Sequence, residues 1–163
     1  MPRRKGSSLG TARVRLRGSS VQLRPVTFED ADVLLAWQRH ESTRKYARNP
    51  KTPTAAEHQE WRRNRLDCND SVFAMILYNG EPSGALRLDP VSDGLEVSIH
   101  IDPGKYRLGI AKRALAIAVK CAPRMTIFAE VLPENKASHA LFKSAGFKQL
   151  LVGVYVIVGG GGR

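Results

Sequence analysis

The sequence predicts an α/β (α+β) fold: one domain in which a mixed, mostly antiparallel sheet carries helices on both faces. Three observations predict it. Asn79-Gly80, the strongest two-residue hairpin signal, sits between two strand-like runs, Ser71 to Tyr78 and Glu81 to Leu88. Leu95 to Ala111 (LEVSIHIDPGKYRLGIA) reads as a strand that breaks at Pro103-Gly104 and passes through Arg107-Leu108-Gly109-Ile110-Ala111 into an amphipathic helix. Met125 to Val131, followed by Asn135 to Phe147, reads as strand, capped helix, glycine stop and strand.

The remaining elements follow from local chemistry. Val21 to Pro25 alternates as a first strand should, and Thr27-Phe28-Glu29-Asp30 offers an N-cap with an acid three residues on, opening a helix to about Arg39. Ala31, Leu34, Leu35 and Trp37 give that helix one apolar face, and His40-Glu41-Ser42 breaks the pattern before a short turn around Arg44 to Tyr46. A second capping box, Thr54-Ala55-Ala56-Glu57, opens a helix to about Cys68 with Trp61 and Leu66 inward. Ser92-Asp93-Gly94 connects to the strand Leu95 to Ile101, Asn135 caps a short helix over Ala137 to Ala145, and Gly146 supplies its left-handed stop. Phe147 to Val158 supplies the last one or two strands.

Length and composition narrow the function classes. A chain of 163 residues fits one domain. Cys68 and Cys121 lie without metal spacing in or beside helical segments, which predicts reduced, buried thiols, no metal site and no disulfide framework. No apolar run reaches the roughly 18 to 20 residues of a membrane span, and the start of the chain lacks a secretory apolar core, so the expectation is a cytoplasmic protein without a membrane partner. The net charge of +11 is unevenly spread: six basic residues and no acid fall in residues 1–20, leaving 20 basic against 15 acidic residues elsewhere. Residues 1–20 therefore read as a basic, disordered tail, 21–158 as the domain and 159–163 as a Gly-rich tail, with nucleic acid the minority reading for the charge.

Arg107, Leu108, Gly109, Ile110, Ala111 and Lys112 form the first functional constellation. Small residues at Gly109 and Ala111 would let an anion approach the backbone, where a helix start offers free N–H groups and the positive end of its dipole. With the downstream spacing Asn135-x-x-Ser138-x-x-Leu141-Phe142-x-x-x-Gly146-Phe147, this segment resembles the GNAT superfamily of acetyl-coenzyme A-dependent N-acetyltransferases over about Val21 to Leu150. The resemblance implies acetyl-coenzyme A as donor and no metal. Backbone groups of His100 and Ile101 would pair with pantetheine, amides from Arg107 to Lys112 would take the pyrophosphate, and Asn135 and Ser138 would border the same groove or serve only as helix caps. Tyr106 departs from the family's usual Gln or Arg at the first motif position, which puts one side-chain phosphate contact in doubt.

Acetyl transfer needs a neutral amine, an oriented thioester and a place for the thiolate. The resemblance points to Glu96 and Glu130 as carboxylates for proton removal, with solvated strand-end charges as the alternative; His58 and His100 are weaker candidates. The family's Leu-Tyr pair is Leu141-Phe142 here, and Phe donates no proton, which leaves Tyr106, Tyr155 or water.

On the acceptor side, Arg39, Arg44, Tyr46, His58 and Trp61 resemble, in part, the pattern of sugar-nucleotide N-acetyltransferases of the pseudaminic-acid and related pathways. Similar patterns occur in ribosomal-protein and aminoglycoside acetyltransferases. Trp37 and Trp61 also read as core and the arginines as a solvated face. Arg39, Arg44, Lys45, Arg48 and Lys51, set against Glu41, Glu57 and Glu60, tilt the expectation to an anionic acceptor, a nucleotide-linked amino sugar. A protein N-terminus or a basic antibiotic would instead favour an acidic groove; protein N-terminal and aminoglycoside or polyamine acetylation are the alternative functions. The alternative of another class is a non-catalytic module binding coenzyme A or nucleic acid, and the chain allows a homodimer.

Overall fold

The computed structural model describes residues 12–16, 19–47, 49, 51–66 and 70–160. The strands are β1 (Ala12–Leu16), β2 (Ser19–Pro25), β3 (Val72–Tyr78), β4 (Glu81–Val91), β5 (Gly94–Ile101), β6 (Thr126–Glu130), β7 (Lys148–Leu151) and β8 (Val154–Val158). They form one sheet in the order β1-β2-β3-β4-β5-β6-β8-β7. Every neighbouring pair is antiparallel except β5 with β6. The predicted sheet class is therefore present. At the β3–β4 hairpin Asn79 and Gly80 both take positive φ, 51° and 87°, as the tight turn that matches strand twist requires.

The helices are α1 (Ala31–Arg39), α2 (Glu41–Arg44), α3 (Ala55–Leu66), α4 (Ile110–Cys121) and α5 (Lys136–Ser144). Side chains take up backbone N–H groups at the turn before α1 and at the starts of α2, α3 and α5. Asp30 precedes α1 in a 3-10 turn and accepts the Thr27 N–H at 2.8 Å. Thr54 and Glu57 close a reciprocal box at α3: Thr54 N–H donates to Glu57 Oε2 at 2.9 Å, and Glu57 N–H to Thr54 Oγ1 at 3.2 Å. His40 caps α2 through Nδ1, which accepts the Ser42 N–H at 3.2 Å.

Strand alternation divides the apolar side chains between two layers. Leu86, Leu88 and Val97 join Leu115, Ile127 and Phe142 on the α4/α5 face, whereas Met75 and Ala85 pack with Leu34 and Trp37 under α1. Gly94 is required where β5 starts beside β6, because a Cβ there would collide with the Thr126 carbonyl oxygen.

Two differences from the sequence reading stand out. Residues 12–16 fall within the segment read as a tail, yet pair in register with β2, from Ala12 opposite Leu23 to Leu16 opposite Ser19. Alternation in ARVRL carries that strand, and its arginines led composition to outweigh period. Cys121 is exposed at the last turn of α4, not buried. Cys68, Arg48 and the Leu66 side chain lie outside the described residues, as do residues 1–11 and 161–163. The edge strand β7 is short, its four residues are exposed, and its pairing with β8 shifts register between Gln149 and Leu151.

These pairings set the response to two changes. Asp30 is buried, and Arg24 grips it with two bonds of 2.8 and 2.7 Å. Asp30→Ala should destabilise the protein by roughly 2 kcal/mol, read from denaturant unfolding at pH 7, because Arg24 and the Thr27 amide lose their partner. Deleting residues 1–18 removes one edge strand from a sheet in which β2 still pairs with β3. Cooperative unfolding should persist, with the Tm lowered by about 2–6 °C in calorimetry.

Candidate active site

β5 and β6 pair only at Leu95 with Ile127 and Glu96 with Phe128. Beyond that point the ladder stops, and β5 from Val97 to Ile101 has no ladder partner on its β6 side among the described residues. The opening exposes a strand edge to which an extended ligand can add by main-chain hydrogen bonds. His100 and Ile101 stand at the far end of that edge.

The chain then turns through Pro103–Lys105 into α4. Lys105 Nζ donates to Pro82 O and Ser83 Oγ, both at 3.0 Å, and Asp102 N–H donates to Ser83 O at 2.8 Å, which fixes the loop to buried Ser83 of β4. Gly109 caps α4 in the left-handed region, φ 71°, and no side chain caps its first turn. A Cβ on Gly109 would meet nothing within 4 Å, so backbone conformation requires the glycine and the space before the helix stays open. Arg107 is also left-handed, φ 64°. Arg107, Leu108, Gly109 and Lys112 are exposed, Ala111 is half-buried and Ile110 anchors the turn in the core. First-turn amides facing open space at the positive end of a twelve-residue helix suit a pyrophosphate.

Other predicted donor-side residues have structural partners. Asn135 Oδ1 accepts the Ser138 N–H at 3.1 Å and caps α5, and Ser138 is half-buried. Tyr106 Oη lies 2.8 Å from Ser42 Oγ, itself 2.8 Å from His40 Nδ1, so this tyrosine ties the loop to α2. Phe142 is buried between Phe147 and Tyr155, with ring centroids 5.1 and 6.1 Å away. Tyr155 is fully buried and 2.6 Å from His139 Nδ1. His139 Nε2 is 3.1 Å from the Leu132 carbonyl, which only a ring N–H can satisfy; in the neutral ring Nδ1 is then the acceptor and Tyr155 the donor.

The other face of the sheet carries the charged side chains. Register places Ala85, Arg87 and Asp89 opposite His100, Ser98 and Glu96. Arg87 Nε donates to Asp89 Oδ2 at 2.9 Å, and its guanidinium lies 5.6 Å from the Trp61 ring centroid. Trp61 packs against His58 and Phe73, each at 5.5 Å, and His58 is buried. Trp37 meets His100 edge-on at 5.9 Å. Arg39 and Arg44 are committed within the chain. Arg39 Nε donates to Pro53 O at 3.1 Å, and Arg44 to Gln38 Oε1, Asn49 O and Lys51 O at 2.6, 2.9 and 3.2 Å. Both guanidiniums brace the 49–53 loop. Tyr46 is half-buried beneath Lys45 Nζ, 5.2 Å from its ring centroid.

Glu96 and Glu130 do come together, lining a cleft of about 200 Å³ with Asp93, Phe128 and Val154. Sequence reasoning missed Asp93 and Arg87. The signal for Arg87 was a lone cation inside the apolar run Gly84–Leu88.

Burial pushes the His100 imidazole down to about 4, with the positive charges of Arg87 and Arg44 adding to the effect, so it is neutral at pH 7. Its unfolded value is near 6.5. Between 6.5 and 4 the unfolded chain binds a proton that the folded one refuses, so stability should fall as pH drops through this window. Denaturant unfolding of His100→Phe should show a shallower loss over the same range.

Among the described residues no group of His, Cys, Asp and Glu could hold a metal ion, and no helix is long and apolar enough to cross a membrane. Residues 20–148 match the family model of the acetyltransferase (GNAT) domain. The fold is similar to RimJ of Mycobacterium smegmatis in complex with CoA-disulfide, at 21% identity, TM-score 0.76, and coverage of 94% of this chain and 88% of that one. Aminoglycoside acetyltransferase AAC(6')-Ib in complex with coenzyme A and kanamycin is similar at 18% identity and TM-score 0.72, covering 85% of this chain and 95% of that one. Spermidine N-acetyltransferase of Vibrio cholerae, in complex with CoA and spermine, is similar at 16% identity, TM-score 0.72 and the same two coverages, 85% and 95%. No curated protein matches the chain. A family match across most of the domain, on a sheet that parts beside an open helix start, makes the chain a GNAT acetyltransferase with acetyl-coenzyme A as its donor.

Proposed function

We propose that the protein acetylates a primary amine of a small cationic acceptor of the aminoglycoside or polyamine kind. The observation that carries this reading is the acidic cleft of Asp93, Glu96 and Glu130 beside the parted strands. Three carboxylates around one opening attract ammonium groups and repel the diphosphate of a nucleotide-linked sugar. Arg39 and Arg44, the residues that favoured an anionic acceptor, spend donors on the 49–53 loop. Two of the similar structures hold kanamycin and spermine, and a polycationic acceptor is consistent with both.

In this reading the pyrophosphate rests on the first-turn amides of α4, pantetheine runs along the free edge of β5 at His100 and Ile101, and the thioester lies where the strands part. The acceptor enters as an ammonium ion and loses a proton to Glu96 or Glu130. The neutral nitrogen attacks the carbonyl carbon, the C–N bond forms, the C–S bond breaks, and the thiolate leaves with the bonding pair. The nitrogen's second proton returns to a carboxylate or to water. With Phe142 in place of a proton donor, the thiolate is protonated by solvent; expelling a thiol of pKa about 8.5 unprotonated at pH 7 costs about 2 kcal/mol.

Thiol release should be measured with acetyl-coenzyme A and four acceptor sets: aminoglycosides, polyamines, peptides with free N-termini and UDP-amino sugars. Turnover is expected with the first two, and Glu96→Gln with Glu130→Gln should lower acceptor kcat/KM by roughly 10²-fold or more. Turnover confined to UDP-amino sugars would reverse the acceptor assignment, and turnover confined to peptides would move it to protein N-termini. Gly109→Glu should abolish acetyl-coenzyme A binding in calorimetry by placing a carboxylate before the helix start. Undiminished binding by that folded variant would remove the donor site.

A further inference from the structure

His100 is a buried titratable group on the acceptor face that the donor chemistry leaves unused: GNAT-type donor binding needs its peptide group, not its ring. The side chain extends from β5 toward α1, on the same face as Glu96 and Ser98, from the part of the strand where β6 has already turned away. Its Nε2 is shielded from water and has no hydrogen-bond partner among the described residues. The residue as a whole is half-buried and stands on the part of β5 that has no ladder partner on its β6 side. A buried polar atom without a partner is destabilising and is retained where a ligand completes it. Trp37 fixes the ring by edge-on packing.

Arg87 from β4 and Arg44 from α2 are the charged groups that act on the ring, and both are cations. They disfavour imidazolium, so the ring is neutral and its Nδ1–H tautomer offers the Nε2 lone pair; they equally disfavour an ammonium ion beside it. What suits this spot is a neutral group with an N–H or O–H to donate.

We propose that the His100 imidazole receives the reacting amine of the acceptor: Nε2 accepts one N–H of the neutral nitrogen and turns its lone pair to the thioester carbonyl. This rests on the amine-acceptor reading above and adds to it the side chain that orients the nucleophile. The acidic cleft draws the cation in; the neutral ring, under the positive charge of Arg87 and Arg44, holds only the deprotonated nitrogen. His100 is thus a binding and orienting residue, and the proton itself goes to a carboxylate or to water.

The test compares wild type, His100→Gln and His100→Leu for acceptor kcat/KM at saturating acetyl-coenzyme A, for acetyl-coenzyme A affinity by calorimetry and for Tm. His100→Leu should lose at least about 30-fold in kcat/KM, keep donor affinity within about threefold, and match or exceed the wild-type Tm because an unpartnered polar atom has gone. His100→Gln, which keeps an acceptor oxygen, should recover several-fold of that loss. A folded His100→Leu with wild-type kcat/KM would overturn the proposal, and so would an equal fall in donor affinity and kcat/KM, or a Leu variant of lower Tm with no advantage for Gln. If wild type acetylates no amine, the amine reading itself fails and this inference with it; an active wild type with an unaffected Leu variant removes this inference alone.

Discussion

The parting of β5 from β6 is the constraint on which the site depends. These two strands form the sheet's parallel pair among the described residues, joined by α4 as a crossover, and their ladder lasts for two residue pairs. In sheets with such crossovers ligands gather at the carboxyl ends of the strands, where loops and helix starts converge. Here the carboxyl end of β5 runs into the Gly109 turn, and that of β6 runs into the Asn135 cap of α5. A longer ladder would close the strand edge along which the proposed donor pairing runs.

The same strands divide chemistry between their faces. Period-two alternation sends Leu86, Leu88 and Val97 into the core beneath α4 and sends Arg87, Asp89, Glu96 and His100 to the opposite side. Those polar groups are tolerated there because partners hold some of them. Arg87 is paired with Asp89 and stacked on Trp61, which leaves a fixed positive charge beside a neutral imidazole. The face proposed for the acceptor is therefore graded, acidic at the cleft of Asp93, Glu96 and Glu130 and cationic toward Arg44.

What could be read from the sequence was local. Asn79-Gly80, the Thr54 to Glu57 box, the Asn135 cap and the Gly109 turn each depend on a few adjacent residues, and each stands where its chemistry put it. Glu96 and Glu130 were legible through resemblance, although only the folded chain shows that Asp93 joins them. Arg39 and Arg44 pointed to an anionic acceptor because a guanidinium that binds phosphate and one that binds loop carbonyls look alike until the 49–53 loop is placed. His100 drew notice for its backbone and, less strongly, as a base. Its ring gains meaning only from Trp37, Arg44 and Arg87, which come from three separate elements.

A sheet of this kind ends in strands whose outer edges can recruit a further strand from another molecule. β7 is only four residues long, begins with Lys148 and slips register between Gln149 and Leu151, so its outer edge offers no long, flat template. At the opposite margin the edge strand Ala12–Leu16 is five residues long, also too short to offer an extended template. Leu150, Leu151 and Val152 are nonetheless exposed at the β7 end, and there the irregular pairing, more than polarity, guards the protein against aggregation through its own sheet.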